Sequence, residues 1–215
     1  MSAPADEAAP TPPDEPAEAP TRSFIAELPF LLLAALVVAV VIKTFVIQPF
    51  YIPSGSMIPT LMINDRVMVS KLSYTFGEPQ RGDIIVFLNP YAPERSDESL
   101  PERAVRATLE ALGIRTSSAD DLIKRIVALG GETIEIRDNE LLIDGVPLDE
   151  PYLAEGVAMP DFGPLTIPQG ELFVMGDNRN ESSDARVFGP IPEAHIVGKA
   201  VLRIWPLDRL GGFSH

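Results

Sequence analysis

Cysteine is absent from the 215 residues. That removes a disulfide framework, a thiol nucleophile and any thiolate metal site. Histidine is nearly absent: His195 and His215 are the two, and His215 is the last residue of the sequence. A metal site built on imidazoles lacks its ligands, so neither metal nor cofactor is expected. Lysine is scarce, at positions 43, 71, 124 and 199 alone. Positive charge is short overall, with a formal net charge of −14. Broad nucleic-acid interfaces need basic patches, so no nucleic-acid partner is expected.

Part of the acidity is local. Residues 1–23 carry Asp6, Glu7, Asp14, Glu15 and Glu18 against Arg22, among alanine and proline. Such a segment cannot bury enough apolar surface to offset its ordering entropy, and it reads as a disordered acidic tail. The texture then changes to FIAELPFLLLAALVVAVVIKTFVI over residues 24–47. A membrane span needs about 20 mostly apolar residues. The run reaches that length when Glu27 and Lys43 sit near its ends and Lys43 snorkels. A buried core helix is the plainer alternative. A cleaved leader is the other, but no basic n-region precedes the run and no small-x-small site follows it. One uncleaved transmembrane helix is the expectation. The flanking charges, Arg22 and Lys43, leave its orientation open. Aromatic and aliphatic side chains of residues 45–52 are expected to dip into the lipid interface.

From Pro49 onward, short Ile/Val-rich runs are bounded by Gly, Pro, Asn and Asp, which is a β signature. Strands are expected at Arg66–Leu72, Asp83–Leu88, Ile123–Leu129, Thr133–Arg137, Glu140–Ile143, Leu172–Met175 and Ala200–Trp205. Asp138-Asn139 lies between two of them as a hairpin tip. Residues 90–121 differ: PERAVRATLEAL (101–112) spaces its apolar residues near helical periodicity after a proline. The expected organisation is a tail (1–23), a transmembrane helix (24–47) and a mainly β, antiparallel domain (48–215) with a partly helical insertion (90–121).

Three segments offer chemistry. In Pro53-Ser54-Gly55-Ser56-Met57-Ile58-Pro59-Thr60-Leu61, two prolines fix the chain direction around a Ser-Gly-Ser turn that holds a hydroxyl in place. By itself Ser-Gly-Ser more often marks a plain surface turn. A serine needs a base to take its proton. His195 has no acid at a recognisable spacing. Among the lysines, Lys43 ends the apolar helix, and Lys71 and Lys199 read as strand-edge charges. Lys124 opens the apolar run Ile123-Lys-Arg-Ile-Val-Ala-Leu129. Burial there lowers an amine's pKa and makes it a base. Composition alone favours the plainer reading, in which Lys124 and Arg125 are solvated charges at a strand start. The third segment is the polar loop GDNRNESSDAR (176–186) after an apolar strand, a usual place for function. A solvated turn, or a weak carboxylate loop for calcium without EF-hand spacing, is its plain alternative.

In order, the apolar helix, PSGSMIPTL (53–61), RGDIIVF (81–87), KRIVALGGE (124–132) and GDNRNESSDAR (176–186) resemble the boxes of bacterial type I signal peptidases. The resemblance covers most of residues 45–205. It implies a largely antiparallel β domain on the outer face of the bacterial cytoplasmic membrane, held by a single span. It implies a serine endopeptidase with a Ser-Lys dyad. The enzyme would cut signal peptides from preproteins emerging at the secretion translocon, after Ala-x-Ala-like sites. It makes Ser56 the nucleophile and Lys124 the base. Ser54 and the Ser56 N–H form the oxyanion hole, Ser182 orients the lysine, and Asp184 and Arg186 form a supporting ion pair. Phe50, Ile52, Pro53, Met57, Leu61, Leu122 and Ile123 are the implied pocket residues. Two departures occur. Ala128-Leu-Gly-Gly-Glu132 stands where the family commonly has Gly-x-Pro-Gly-Asp, and the 90–121 insertion is long. A self-cleaving repressor-type Ser-Lys peptidase fits less well, because those are soluble DNA binders. A non-catalytic scaffold fits less well because Ser56, Lys124 and Ser182 are all in place.

Overall fold

Apolar alternation decides most of the strands. In Thr133-Ile-Glu-Ile-Arg137 the two isoleucines are buried while the flanking positions are not. This is the period-2 pattern of a half-buried strand. The computed structural model describes residues 24–91 and 121–213. The acidic tail and most of the expected insertion lie outside the described residues.

Helix α1 covers Phe24–Phe45, with Glu27 in its first turn. An acid there complements the positive end of the helix dipole. Its described side chains, residues 27–38, are exposed throughout, including Leu28, Phe30, Leu31, Leu32, Leu33, Leu36, Val37 and Val38. Among the described residues no helix is long and apolar enough to cross a membrane.

The strands are β1 (Ile47–Tyr51), β2 (Arg66–Ser70), β3 (Ile84–Leu88), β4 (Asp121–Ala128), β5 (Thr133–Arg137) and β6 (Glu140–Ile143). They continue with β7 (Val146–Pro147), β8 (Phe162–Thr166), β9 (Glu171–Met175), β10 (Ile191–Pro192) and β11 (Ile196–Trp205). The short helix α2 (Ala185–Phe188) separates β9 from β10. Among the described residues, one sheet runs β1-β2-β11-β3-β4-β9-β10 and the other β7-β6-β5-β8. Every pairing is antiparallel. The chain is therefore mainly β, as the sequence leads one to expect.

β3 lies deep in the larger sheet and is apolar on both faces. Ile85 and Phe87 enter one core with Ile126, Ile134, Leu172 and Phe173. Ile84 and Val86 enter a second with Phe50, Met57, Leu61, Val67 and Ile123. Strands covered on both sides read as unbroken apolar runs. The β5–β6 hairpin turns at Asp138 and Asn139, both with positive φ. Asn and Asp tolerate that region better than other side chains.

Two expectations need correction. The helix ends at Phe45 and Ile47–Tyr51 is a strand paired to β2. Phe50 and Ile52 are buried in the second core rather than presented to lipid. Burying two large apolar side chains in that core is worth about 2 kcal/mol each.

Candidate active site

The loop between β1 and β2 is closed at its base by backbone bonds. Ile52 N–H donates to Asp65 O at 3.0 Å, and Asn64 N–H donates to Ile52 O at 2.9 Å. Met57 and Leu61, fully buried, hold the loop's inner side in the second core. Ser56 is thereby fixed between two anchors and is itself 9% exposed.

Lys124 sits on β4, opposite Ile85 of β3. It is 3% exposed, so the solvated alternative does not hold. Its Nζ donates to Ser56 Oγ at 2.7 Å and to Ile123 O at 3.0 Å. Burial pushes the Lys124 pKa down to about 8, against the pull of the Asp184 and Asp177 carboxylates. Desolvation penalises the charged amine more than those two anions favour it.

The polar loop after β9 docks on the serine loop. Asn178 N–H donates to Ser56 O at 3.1 Å, and Asn178 Nδ2 donates to Gly55 O at 3.1 Å. A side chain at Gly176 would place its Cβ 2.4 Å from Ser56 O and 2.3 Å from Ser182 Oγ. Only glycine permits that approach. Asp184 caps α2 and accepts from Gly176 N–H at 3.0 Å. Arg186 grips it with Nε to Oδ1 at 2.8 Å and Nη2 to Oδ2 at 2.9 Å. Burial alone would raise the Asp184 carboxyl, but the Arg186 bonds and charge hold it below the usual carboxylate range. The Ser182 hydroxyl is buried with no well-formed hydrogen bond among the described residues, and its polar neighbour is Asp184, whose carboxyl it helps hold down. The Lys124 amine is bonded to Ser56 and Ile123 instead.

Sequence reasoning missed a buried ion pair beside the dyad. Arg125 Nε and Nη2 reach the two Asp177 oxygens at 2.9 and 2.7 Å. Both side chains are fully enclosed. Asp177 also accepts from the Thr60 hydroxyl at 2.5 Å, and Arg125 Nη1 donates to Gly82 O at 2.8 Å. The pair thus joins the serine loop, the RGD segment, β4 and the polar loop. Its one sequence signal was that Arg125, Gly82 and Asp177 each lie inside a quoted motif.

The expected pocket residues divide. Phe50, Ile52, Met57, Leu61 and Ile123 lie together in the second core. Pro53 is exposed, and Leu122 is half-buried against the first core. Ser54 is exposed at the loop surface. A cleft of about 450 Å³ opens beside Ser182 and Arg186, lined further by Ala158, Pro160, Phe162 and Val187. His195 lies in a short 3-10 turn before β11, on the far side of β10 in sequence. Lys199 is paired with the buried Asp83 at 2.6 Å.

The pattern of the family described as "Signal peptidase, peptidase S26" matches residues 25–205. Signal peptidase I of Mycobacterium tuberculosis (strain ATCC 25618 / H37Rv) is 41% identical over 231 residues, covering 92% of this chain and 78% of that protein. Signal peptidase I of Leptolyngbya laminosa is 39% identical over 219 residues, covering 98% and 96%. The chloroplastic thylakoidal processing peptidase 1 of Arabidopsis thaliana is 37% identical over 176 residues, covering 82% and 47%. A solved signal peptidase I from Enterococcus faecalis V583 superposes with a TM-score of 0.41 at 30% identity, covering 58% of this chain and 97% of that one. A family match over residues 25–205, with the two bacterial relatives about 40% identical along most of their length, settles the kinship: the chain belongs to the signal peptidase family, peptidase S26, and is an enzyme of the signal peptidase I kind.

Proposed function

We propose that the protein removes N-terminal signal peptides from preproteins by acyl transfer, with Ser56 as nucleophile and Lys124 as general base. The observation that carries this reading is the 2.7 Å contact between Lys124 Nζ and Ser56 Oγ in a buried setting. With a pKa near 8, about a tenth of Lys124 is neutral at pH 7. An unperturbed lysine would be neutral roughly 300-fold less often.

The chemistry then follows. Neutral Lys124 takes the Ser56 proton as Oγ bonds to the scissile carbonyl carbon. The oxyanion is received by the Ser56 N–H and the Ser54 hydroxyl; one such donor is worth about 10²–10³ in rate. The C–N bond breaks as the Lys124 ammonium returns the proton to the leaving amine, and the mature chain departs with a new N-terminus. Water next attacks the ester, giving its proton to Lys124, which passes it to the departing Ser56 Oγ; the ester C–O bond breaks, the signal peptide leaves with a free carboxyl end, and both residues are restored. Ser182, half-buried beside Gly176 with its enclosed hydroxyl turned toward Asp184, accepts from the ammonium while Lys124 is charged. Asp184 and Arg186 hold the loop that presents it. Small side chains before the cut are selected by shallow apolar surface around Ile52, Pro53 and Ile123, as small-x-small cleavage requires.

The exposed apolar side chains of α1 support a membrane anchor for this enzyme. An uncovered run of leucine, valine and phenylalanine is costly in water and favourable in lipid. We place the β domain at the outer face of a bacterial cytoplasmic membrane, where signal peptides emerge from the translocon.

The test is cleavage of a signal-peptide-bearing preprotein by the detergent-purified full chain beside Ser56→Ala. Cleavage after a small-x-small site by the parent alone supports the reading. Cleavage by both overturns Ser56 as nucleophile.

A further inference from the structure

Glu150 and Tyr152 lie between β7 and β8, outside every motif that marks the family in this sequence. Tyr152 nevertheless covers a face of the buried ion pair: the Arg125 guanidinium stands 3.8 Å from its ring centroid. The ring is itself held. Tyr152 Oη donates to Glu150 Oε1 at 2.6 Å. Glu150 receives both terminal nitrogens of Arg179, at 2.6 and 2.8 Å. Arg179 Nε in turn donates to Gly176 O at 3.0 Å. Arg179 is 2% exposed, so this chain of contacts runs from the surface segment into the polar loop.

We infer that Tyr152 is a positioning residue for the Ser56–Lys124 pair, acting by sealing the Arg125–Asp177 bridge from water. The inference rests on the reading of Ser56 and Lys124 given above. The bridge ties Thr60, four residues beyond Ser56, to Arg125, the neighbour of Lys124. A buried ion pair keeps its geometry only while water is excluded and its lone pairs are satisfied. An aromatic face over the guanidinium does both jobs at once, excluding water and attracting the cation. Without the ring, water reaches Arg125, the two loops gain freedom and the 2.7 Å contact loses its alignment. A misplacement of about 1 Å can cost on the order of 10²-fold in rate.

A second consequence concerns Lys124 itself. The charges around it are Asp184 and Asp177 on the polar loop. Arg125 sits next to it on β4, Arg186 is paired with Asp184, and Arg179 is paired with Glu150. Water admitted to this cluster relieves the burial that keeps the amine neutral, so its pKa moves back up.

The experiment compares Tyr152→Leu and Tyr152→Phe in the full-length protein. It measures kcat and KM on a preprotein from pH 6 to 10, per active molecule counted with a covalent serine-directed probe. Tyr152→Leu should lose about tenfold or more in kcat at pH 7 with KM within about twofold. Its acid limb should move to higher pH. Tyr152→Phe keeps the ring and loses the hydroxyl, and should recover most of the kcat. If Tyr152→Leu does not fold, Tyr152→Met, closer in bulk, takes its place. A Leu or Met variant with parental kcat and pH limb per active molecule overturns the inference, whatever its melting temperature. So does a Phe variant as slow as Leu, which would assign the effect to the Glu150 bond. Cleavage that survives Ser56→Ala would instead overturn the reading of the site. Ser56-dependent cleavage indifferent to Tyr152 overturns only the positioning role.

Discussion

Replacing Lys124 by methionine should make the protein more stable near neutral pH while destroying its activity. In the folded chain the amine loses its proton near pH 8, against 10.5 for an unperturbed lysine. The difference of about 2.5 units corresponds to about 3 kcal/mol by which folding is opposed while Lys124 must be charged in solution and buried in the fold. The group's folded pKa is the lower one, so the unfolded chain binds more protons between pH 8 and 10.5. Parental stability therefore rises with pH across that window, by about 2 kcal/mol from pH 8 to pH 10. Methionine fills the volume of the lysine stem without a charge. Allowing about 1 kcal/mol for the lost bond to Ser56, the variant should be about 2 kcal/mol the more stable at pH 7. Urea unfolding of both proteins in the same detergent, followed by fluorescence of the sole tryptophan, Trp205, reads this directly. The parent-minus-variant difference cancels the other titrations. Among these are the Tyr74 and Tyr152 hydroxyls, both pushed up by burial first and by Asp83 and Glu150 respectively. A difference that stays flat from pH 8 to pH 10 would refute the buried-amine argument.

Three further outcomes follow from the same geometry. The acid limb of kcat/KM should fall near pH 8, and Asp184→Asn should move it lower, because that carboxylate favours charged Lys124. Release of the Arg186 cation works in the same direction; initial rates from pH 6 to 9 decide it, and a limb moved upward contradicts the assignment. Gly176→Ala should cut cleavage at least tenfold, since its Cβ would fall 2.4 Å from Ser56 O, a backbone atom that cannot swing aside. Parental rates in that variant would show that the polar loop need not dock on the serine loop.

The β5–β6 hairpin was legible because strict alternation in Thr133–Arg137 meets two residues that accept positive φ. β1 was not, because Val46 and Ile47 prolong the apolar run of α1 without a change of period. Pairing to β2 decides where the helix stops. β8 was hidden for a different reason. Phe162-Gly-Pro-Leu-Thr166 carries two strand-breaking residues, tolerated there because β8 is an edge strand.

For the site, the motifs and their order along the chain were enough to suggest the family, and it was that resemblance, not the residues taken singly, that pointed to Ser56, Lys124, Ser182, Asp184 and Arg186. A serine and a lysine separated by 68 residues acquire a chemical relation only through β3, β4 and the two loops that bring Oγ to 2.7 Å from Nζ. The amine's depressed pKa is likewise a property of its surroundings, since burial is an attribute of the packed chain and not of the residue. The same holds for Arg125, Asp177, Glu150 and Tyr152. Their sequence neighbourhoods read as solvated charge and loop, and only folding encloses them and makes pairing obligatory.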